Sequence, residues 1–255
     1  MPTTIVITNQ KGGVGKTTTA SAIASGLKEI GKSVLAIDLD PQGNLGFCLG
    51  ADIENSPTVY ELMKGTVSIE KIIQRKEGID IIPSNILLSG AEIEFTDTGR
   101  EYLLKKGIAP VANYYDYVII DTPPALNILT VNGYTAADNL IIPMIPEILS
   151  LMGISQLRET INLVQEYYNP KMKVLGILLN KYDKRRRLTK DVEDMAELIA
   201  KELRTKVFDT KIRTSVAVAE APAHGESIYQ YSPRSNSVKD FREFVKELTQ
   251  EGGFK

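Results

Sequence analysis

The chain is poor in residues that build covalent or metal-held frameworks: of its 255 residues, one is cysteine (Cys48) and one is histidine (His224). A single cysteine excludes an internal disulfide and suits a reducing cytoplasm, so Cys48 reads as a small packing residue. One histidine has no like partners for a metal centre or a hydrolytic triad, and His224 reads as structural. No run approaches the roughly 18 unbroken apolar residues of a membrane span. Met1 to Ile7 lacks the basic and long apolar regions of a signal peptide, and the first strand begins too early to leave room for an N-terminal DNA-reading module. A basic excess is missing as well: the formal charge is −2, so any nucleic-acid contact must come from a local patch. Repeats, low-complexity tracts and linker-like stretches are absent. With 43% hydrophobic residues, the chain is expected to form one domain, 1–255.

Short β-branched runs recur between helical stretches: TTIVIT, SVLAID, IDIIP, DYVIID, NLIIP and KVLGILL, starting near residues 3, 33, 79, 116, 139 and 173. Such alternation predicts an α/β fold, a doubly wound, mainly parallel sheet with helices on both faces. Ala20, Ile23, Ala24 and Leu27 form one helical stripe, and Val192, Met195, Ala196, Ile199 and Leu203 another. A last helix, about Ser237 to Gln250, sets Val238, Phe241, Val245 and Leu248 on one side and reads as a packing helix.

The run QKGGVGKTTT, Gln10 to Thr19, follows the first strand and opens a helix of about Lys16 to Ile30, as a phosphate-binding loop must. Gly12, Gly13 and Gly15, with Val14 between them, let successive backbone N–H groups turn inward around anionic oxygens. Lys16 is placed to reach the terminal phosphates and the Thr17 hydroxyl to ligate Mg²⁺, with Thr18 beside it. The helix start adds unpaired N–H groups and a positive dipole end. Gln10 stands where the usual pattern has its first glycine, and a second lysine, Lys11, sits inside the loop. Lys11 is too near the loop's start to fold back onto its own phosphates and is expected to point outward, toward a nucleotide held by a second subunit.

Three acids follow. The second strand ends in AIDLDPQGN, and alternation would point Asp38 and Asp40 the same way. Phosphoryl transfer needs positioned charge, Mg²⁺ and a group that orients the attacking water. Asp40 is the candidate for that water, and Asp38 for supporting the metal's hydration shell. YDYVIIDTPPAL ends an apolar run at Asp121, a carboxylate at a strand's C-terminal end where it can bind Mg²⁺. Thr122, Pro123 and Pro124 then form a stiff turn close to the γ-phosphate. Finally, NKYDKRRRLTK concentrates Lys181, Lys184, Arg185, Arg186, Arg187 and Lys190 against one acid, Asp183. Loops after parallel strands share the ligand-binding edge, so this basic loop and the phosphate loop belong on one side.

QKGGVGKTT, DLDPQGN, VIIDTPP and AEAPAHGESIYQYSPRS (Ala219 to Ser235) closely resemble the ParA/Soj family of DNA-partitioning ATPases, in the deviant Walker A group that includes MinD. Length resembles the short, Soj-like branch. The resemblance implies that Lys11 is the signature lysine crossing an ATP-sandwich dimer, Lys16 and Thr17 the loop lysine and metal ligand, Asp40 the water-activating acid, and Asp121 the Walker B acid. It implies that Asn180 and the segment around Pro222 border the adenine, and that Arg185 is a DNA-binding arginine. It further implies an ATP-dependent homodimer, DNA binding without sequence preference, and hydrolysis stimulated by a ParB-type centromere-binding protein. One departure is that Ala217 stands where Soj-like members carry a further basic residue, with Arg213 a little upstream; the three arginines at 185 to 187 are placed to compensate.

Two rival readings come from other classes. NKYD also matches the element by which GTPases grip guanine, with Asp183 accepting from the base. A MinD-like membrane cycler would need a cationic amphipathic tail. The tail VKDFREFVKELTQEGGFK mixes acids with bases, so no stable membrane association is expected.

Overall fold

The computed structural model describes residues 1–146, 154–183, 185 and 187–251. The predicted β-branched runs form β1 (Thr3–Ile7), β2 (Val34–Asp38), β4 (Ile79–Ile82), β5 (Tyr117–Asp121), β6 (Asn139–Met144) and β7 (Lys173–Leu179), with β3 (Gln74–Lys76) added before β4. Together they make one seven-stranded sheet in the order β3-β4-β2-β5-β1-β6-β7. Its pairings are parallel apart from β3 with β4. Strand β3 escapes sequence reading because Gln-Arg-Lys carries no apolar alternation. The turn that pairs it does carry a signal: Glu77 and Gly78 have φ of 52° and 79°, the left-handed pair that a two-residue hairpin turn requires.

The central strands are apolar throughout because both faces are covered. Alternate residues Val6, Leu35, Ile37, Val118 and Ile120 enter one core layer, and Ile5, Ile7, Val34, Ala36 and Ile119 the other. Helices α1 (Lys16–Glu29), α2 (Asn44–Cys48), α3 (Val59–Lys64), α4 (Ala91–Glu94), α5 (Leu103–Ile108) and α6 (Ile128–Ala136) precede β6. Helices α7 (Ile154–Tyr167), α8 (Arg187–Glu202), α9 (Ala217–Glu220), α10 (Ile228–Tyr231) and α11 (Asn236–Glu251) complete the described chain. The layer with Val6 is closed by α3 to α8; the other is closed by α1, α2 and α9 to α11.

The predicted stripes face these cores. Ala20, Ile23, Ala24 and Leu27 are buried, as are Val192, Ala196, Ile199 and Leu203, while Met195 is half-buried. In α11, Val238, Phe241, Val245 and Leu248 are buried with Phe244, so its apolar side is spent on the sheet. Among the described residues, no helix is long and apolar enough to cross a membrane.

One buried polar side chain fixes a helix end. Asn169 Nδ2 donates to the carbonyls of Tyr134 (3.0 Å), Thr135 (3.3 Å) and Ala137 (2.6 Å) where α6 stops. Such carbonyls have no partner within the helix. Asn169→Ala is expected to lower the free energy of unfolding by about 1–3 kcal/mol, the usual cost of stranding buried polar groups, read as a lower urea midpoint. An unchanged midpoint would mean that solvent already serves those carbonyls.

Candidate functional site

Sheet register puts the site's components on one edge. In the parallel pairings, Asp121 at the end of β5 lies opposite Ile7 of β1 on one side and Asp38 of β2 on the other. The phosphate loop leaves β1 just beyond Ile7 and enters α1. Gly13 and Gly15 have φ of 76° and 88°, and a Cβ on Gly15 would stand 2.8 Å from Asn180 Nδ2. Both position and space therefore demand glycine at 15. Lys16 is nearly buried, and its Nζ donates to the Lys11 carbonyl at 3.3 Å. Burial lowers its pKa, against the opposing charges of Asp121 and Asp40.

The two strand-end acids differ in how they are satisfied. Asp38 is wholly buried; Oδ1 accepts from Asp40 N (3.0 Å), and Oδ2 accepts from Leu45 N (2.8 Å) and Gly46 N (3.1 Å). Burial raises its pKa to about 7; the Asp40 charge adds to the rise, and the three backbone N–H groups oppose it. Asp121 is also wholly buried, yet neither of its oxygens has a hydrogen-bond partner. Burial, then the Asp38 charge, raises its pKa well above the carboxylate range, while the nearby Thr17 hydroxyl and Lys16 pull it down. Two orphaned oxygens beside a threonine hydroxyl on an otherwise apolar strand end suit an oxygen-preferring divalent cation such as Mg²⁺.

Asp38 and Asp40 do not point alike, as alternation had predicted. Strand β2 ends at Asp38, so its pleat does not extend to Asp40. Asp40 instead begins a turn, its Oδ1 accepting from Gln42 N (3.0 Å) and its carbonyl from Gly43 N (2.9 Å). It lines the cavity, whereas Asp38 holds the turn from below.

A cavity of about 700 Å³ opens over this edge. Gly12, Gly13, Val14, Gly15, Lys16, Thr17 and Thr18 form one wall, and Asp40, Asn44, Phe47, Cys48 and Pro124 a second. Asn180, Lys181 and a segment carrying Ile212, Arg213, Thr214, Ser215, Val218, Ala219 and Pro222 form the third. The expected loop residues, Asp40, Asn180 and Pro222 thus meet around one space; Lys11 is not among its lining residues. Of the turn after β5, Pro124 reaches the cavity, while the Thr122 hydroxyl donates to Ile7 O at 3.0 Å and ties β5 to β1. Phe47, Ile212 and Val218 were not foreseen. Parallel bridges Ile177 to Val207 and Tyr182 to Arg213 carry the last segment alongside β7, and the run VFDTKI has no apolar alternation that would have marked it as a strand. Cys48 is half-buried in this wall rather than in the core; burial first, then Asp121 and Asp38, push its thiol up to about 12. His224 is exposed and stacks on Tyr231, ring centroids 5.0 Å apart.

A second cavity, about 630 Å³, adjoins the first and shares Arg213 and Thr214 with it. It brings together Arg185 and Arg213, each held by an acid. Arg185 Nε and Nη2 fork onto Asp183 at 3.0 and 3.1 Å. Arg213 Nε and Nη2 grip the Asp240 carboxylate at 2.9 and 2.6 Å. Lys184 and Arg186 lie outside the described residues, and Arg187 opens α8.

The chain is similar to known proteins over nearly its whole length. Residues 2–174 match the model of an AAA domain family. The chain is 42% identical over 254 residues to the sporulation initiation inhibitor protein Soj of Bacillus subtilis, covering 97% of this chain and 98% of that one. It is 37% identical to the chromosome partitioning protein ParA of Myxococcus xanthus, over 96% of this chain and 87% of ParA. Among solved structures, cobyrinic acid a,c-diamide synthase from Mycobacterium smegmatis, with bound ATP analog and magnesium, superposes with a TM-score of 0.87 at 36% identity, covering 99% and 96% of the two chains.

Two measurements test Asp121 and Cys48. Asp121→Asn replaces a carboxyl whose charged form burial disfavours, so the metal-free protein should melt no lower than wild type. The further rise in melting temperature that Mg²⁺ adds to nucleotide should vanish in that variant; a rise of wild-type size would place the cation elsewhere. A raised thiol pKa means too little thiolate: at pH 8, Cys48 should alkylate on the order of a thousandfold more slowly than a free cysteine. Its rate should still climb tenfold per pH unit at pH 10, where a free thiol has levelled off; a plateau near pH 9 would contradict the assignment.

Proposed function

The chain belongs to the ParA/Soj family of chromosome-partitioning ATPases, and from that premise we propose an ATP-switched, DNA-binding cycle. The protein binds ATP with Mg²⁺, dimerises around the nucleotide and binds DNA without sequence preference. It leaves the DNA when a ParB-type centromere-binding partner stimulates hydrolysis, and it works in the cytoplasm on the nucleoid. The observation that carries this reading is the meeting of Lys16, Thr17 and Asp40 on the wall of one cavity, with the buried Asp121 close enough for Thr17 and Lys16 to act on its carboxyl.

Each residue has a task in the proposed hydrolysis. N–H groups from Gly12 to Thr18 and the start of α1 surround the phosphates, and Lys16 gives up the Lys11 carbonyl for the terminal phosphoryl oxygens. Thr17 and Asp121 would hold Mg²⁺, which neutralises phosphate charge when bound. Asp40, anchored through its N–H by Asp38, orients the water that attacks the terminal phosphorus. Lys11 reaches the nucleotide of the second subunit. Asn180 Oδ1 is buried without a partner and suits the exocyclic amine of adenine. The GTP reading loses support because Asp183 is gripped by Arg185 and lines the neighbouring cavity, away from the nucleotide's.

Lys184, Arg185, Arg186, Arg187 and Arg213 form the proposed DNA surface. The Arg185 side chain is 90% exposed even while paired with Asp183. Exposed ion pairs contribute only about 0–1 kcal/mol, so exchanging a carboxylate for a DNA phosphate costs little. Dimerisation doubles the surface and strengthens retention through effective concentration.

The test is DNA retention with ATP. Lys16→Ala should abolish it, and Asp40→Ala should prolong it by trapping the bound dimer. Replacing Arg185 to Arg187 with alanine should abolish retention and leave nucleotide binding intact. Engaging roughly four to six phosphates predicts a log-log salt slope of about −3.5 to −5.5. Nucleotide-independent retention by both the Lys16 and Asp40 variants would overturn the switch.

A further inference from the structure

Lys181 stands apart from the other basic residues after β7. It has φ of 52°, a left-handed conformation rarely adopted by a residue with a side chain. Its Nζ donates to the Gly13 carbonyl at 3.2 Å. The residue before it, Asn180, donates from Nδ2 to the next loop carbonyl, that of Val14, at 2.9 Å.

The two facts explain each other. In an extended strand, successive side chains point to opposite faces, so Asn180 and Lys181 could not both reach the phosphate loop if β7 simply continued. A left-handed residue at 181 turns the chain so that neighbouring side chains act on one target. Backbone strain that persists at a site is held there by the contacts it makes possible.

The contact has a consequence for the loop. In a trans peptide unit the C=O and N–H point in opposite directions. Holding the Gly13 carbonyl therefore fixes the Val14 N–H on the opposite side of the loop, as holding the Val14 carbonyl fixes the Gly15 N–H. Gly13 and Gly15 lie at φ that glycine enters and leaves freely, so without outside partners these peptide planes would rotate.

We propose that Lys181 is a positioning residue for the nucleotide's phosphates: its grip on the Gly13 carbonyl, paired with Asn180 on Val14, aims the Val14 and Gly15 N–H groups at the anion. The role rests on the proposed ATP site and deepens it. The preorganised donors are then worth more for a phosphate chain than for the base and ribose, since adenosine leaves them unused.

Equilibrium binding of ATP with Mg²⁺, and of adenosine, to the full chain separates the possibilities. Lys181→Met keeps the side chain's reach and removes the donor. It should weaken ATP roughly five- to tenfold, the effect of one lost hydrogen bond of moderate strength, and leave adenosine unchanged. Lys181→Arg, which can still donate, should restore most of the ATP affinity. The loss should also persist at about 1 M salt, where the Debye length is ~3 Å and a merely attractive surface charge no longer acts. Lys181→Gly should reproduce the ATP defect without lowering the melting temperature, because glycine accepts the conformation without strain. Wild-type ATP affinity in Lys181→Met, an equal loss for adenosine, or a loss that disappears at high salt would each overturn the positioning role. Failure of the wild type to bind ATP would instead sink the ATP site itself.

Discussion

The site depends on the register of three adjacent parallel strands. Because Asp121 lies opposite both Ile7 and Asp38, the end of β5 is level with the exits of β1 and β2. The glycine loop, the buried Asp121 and the turn bearing Asp40 consequently leave the sheet at one height. That register is held by burial, since residues of these strands enter two separate apolar layers. A slip by one residue would exchange the layers and push Ile7 or Val6 into the wrong core. The chemistry is thus located by hydrophobic packing that contains none of the reactive groups.

Electrostatics at this edge is deliberately incomplete. Both Asp121 oxygens are buried without a hydrogen-bond partner, Asp38 is raised to about 7 although three N–H groups favour its charged form, and burial holds the Lys16 pKa down although Asp121 and Asp40 favour its charge. A cluster of this kind is poorly satisfied alone and well satisfied by a cation together with an anionic phosphate chain. Burial strengthens each of those interactions, because little water competes for them. The neighbouring basic surface follows the opposite rule. Arg185 and Arg213 are each satisfied by a carboxylate fork, and the Arg185 side chain stays exposed to solvent while paired.

The glycine loop, the strand-end acids and the alternating β and α pattern were legible because each is a local pattern with a local cause. Strand β3 was not, since Gln-Arg-Lys has no apolar face and is placed by its turn and its partner. The direction of Asp40 was misjudged because alternation holds only while the strand lasts, and β2 ends two residues earlier. Cys48 read as a packing residue because small size and low polarity are all that a sequence offers; its place in the cavity wall comes from α2, whose Asn44 and Phe47 line the same cavity.

By itself the sequence determined the fold class and where the glycine loop and the strand-end acids lie, since backbone freedom, helix dipoles and β-branched burial act over a few residues. Tertiary structure alone decided which acid is left without hydrogen-bond partners, which segment forms the third wall of the cavity, and that Arg185 and Arg213 border one neighbouring cavity. It also decided that Asn180 and Lys181 grip consecutive carbonyls of a loop that lies more than 160 positions earlier in the chain. Those outcomes depend on contacts between distant segments, and such contacts exist only once the sheet has set its register and its two cores have closed.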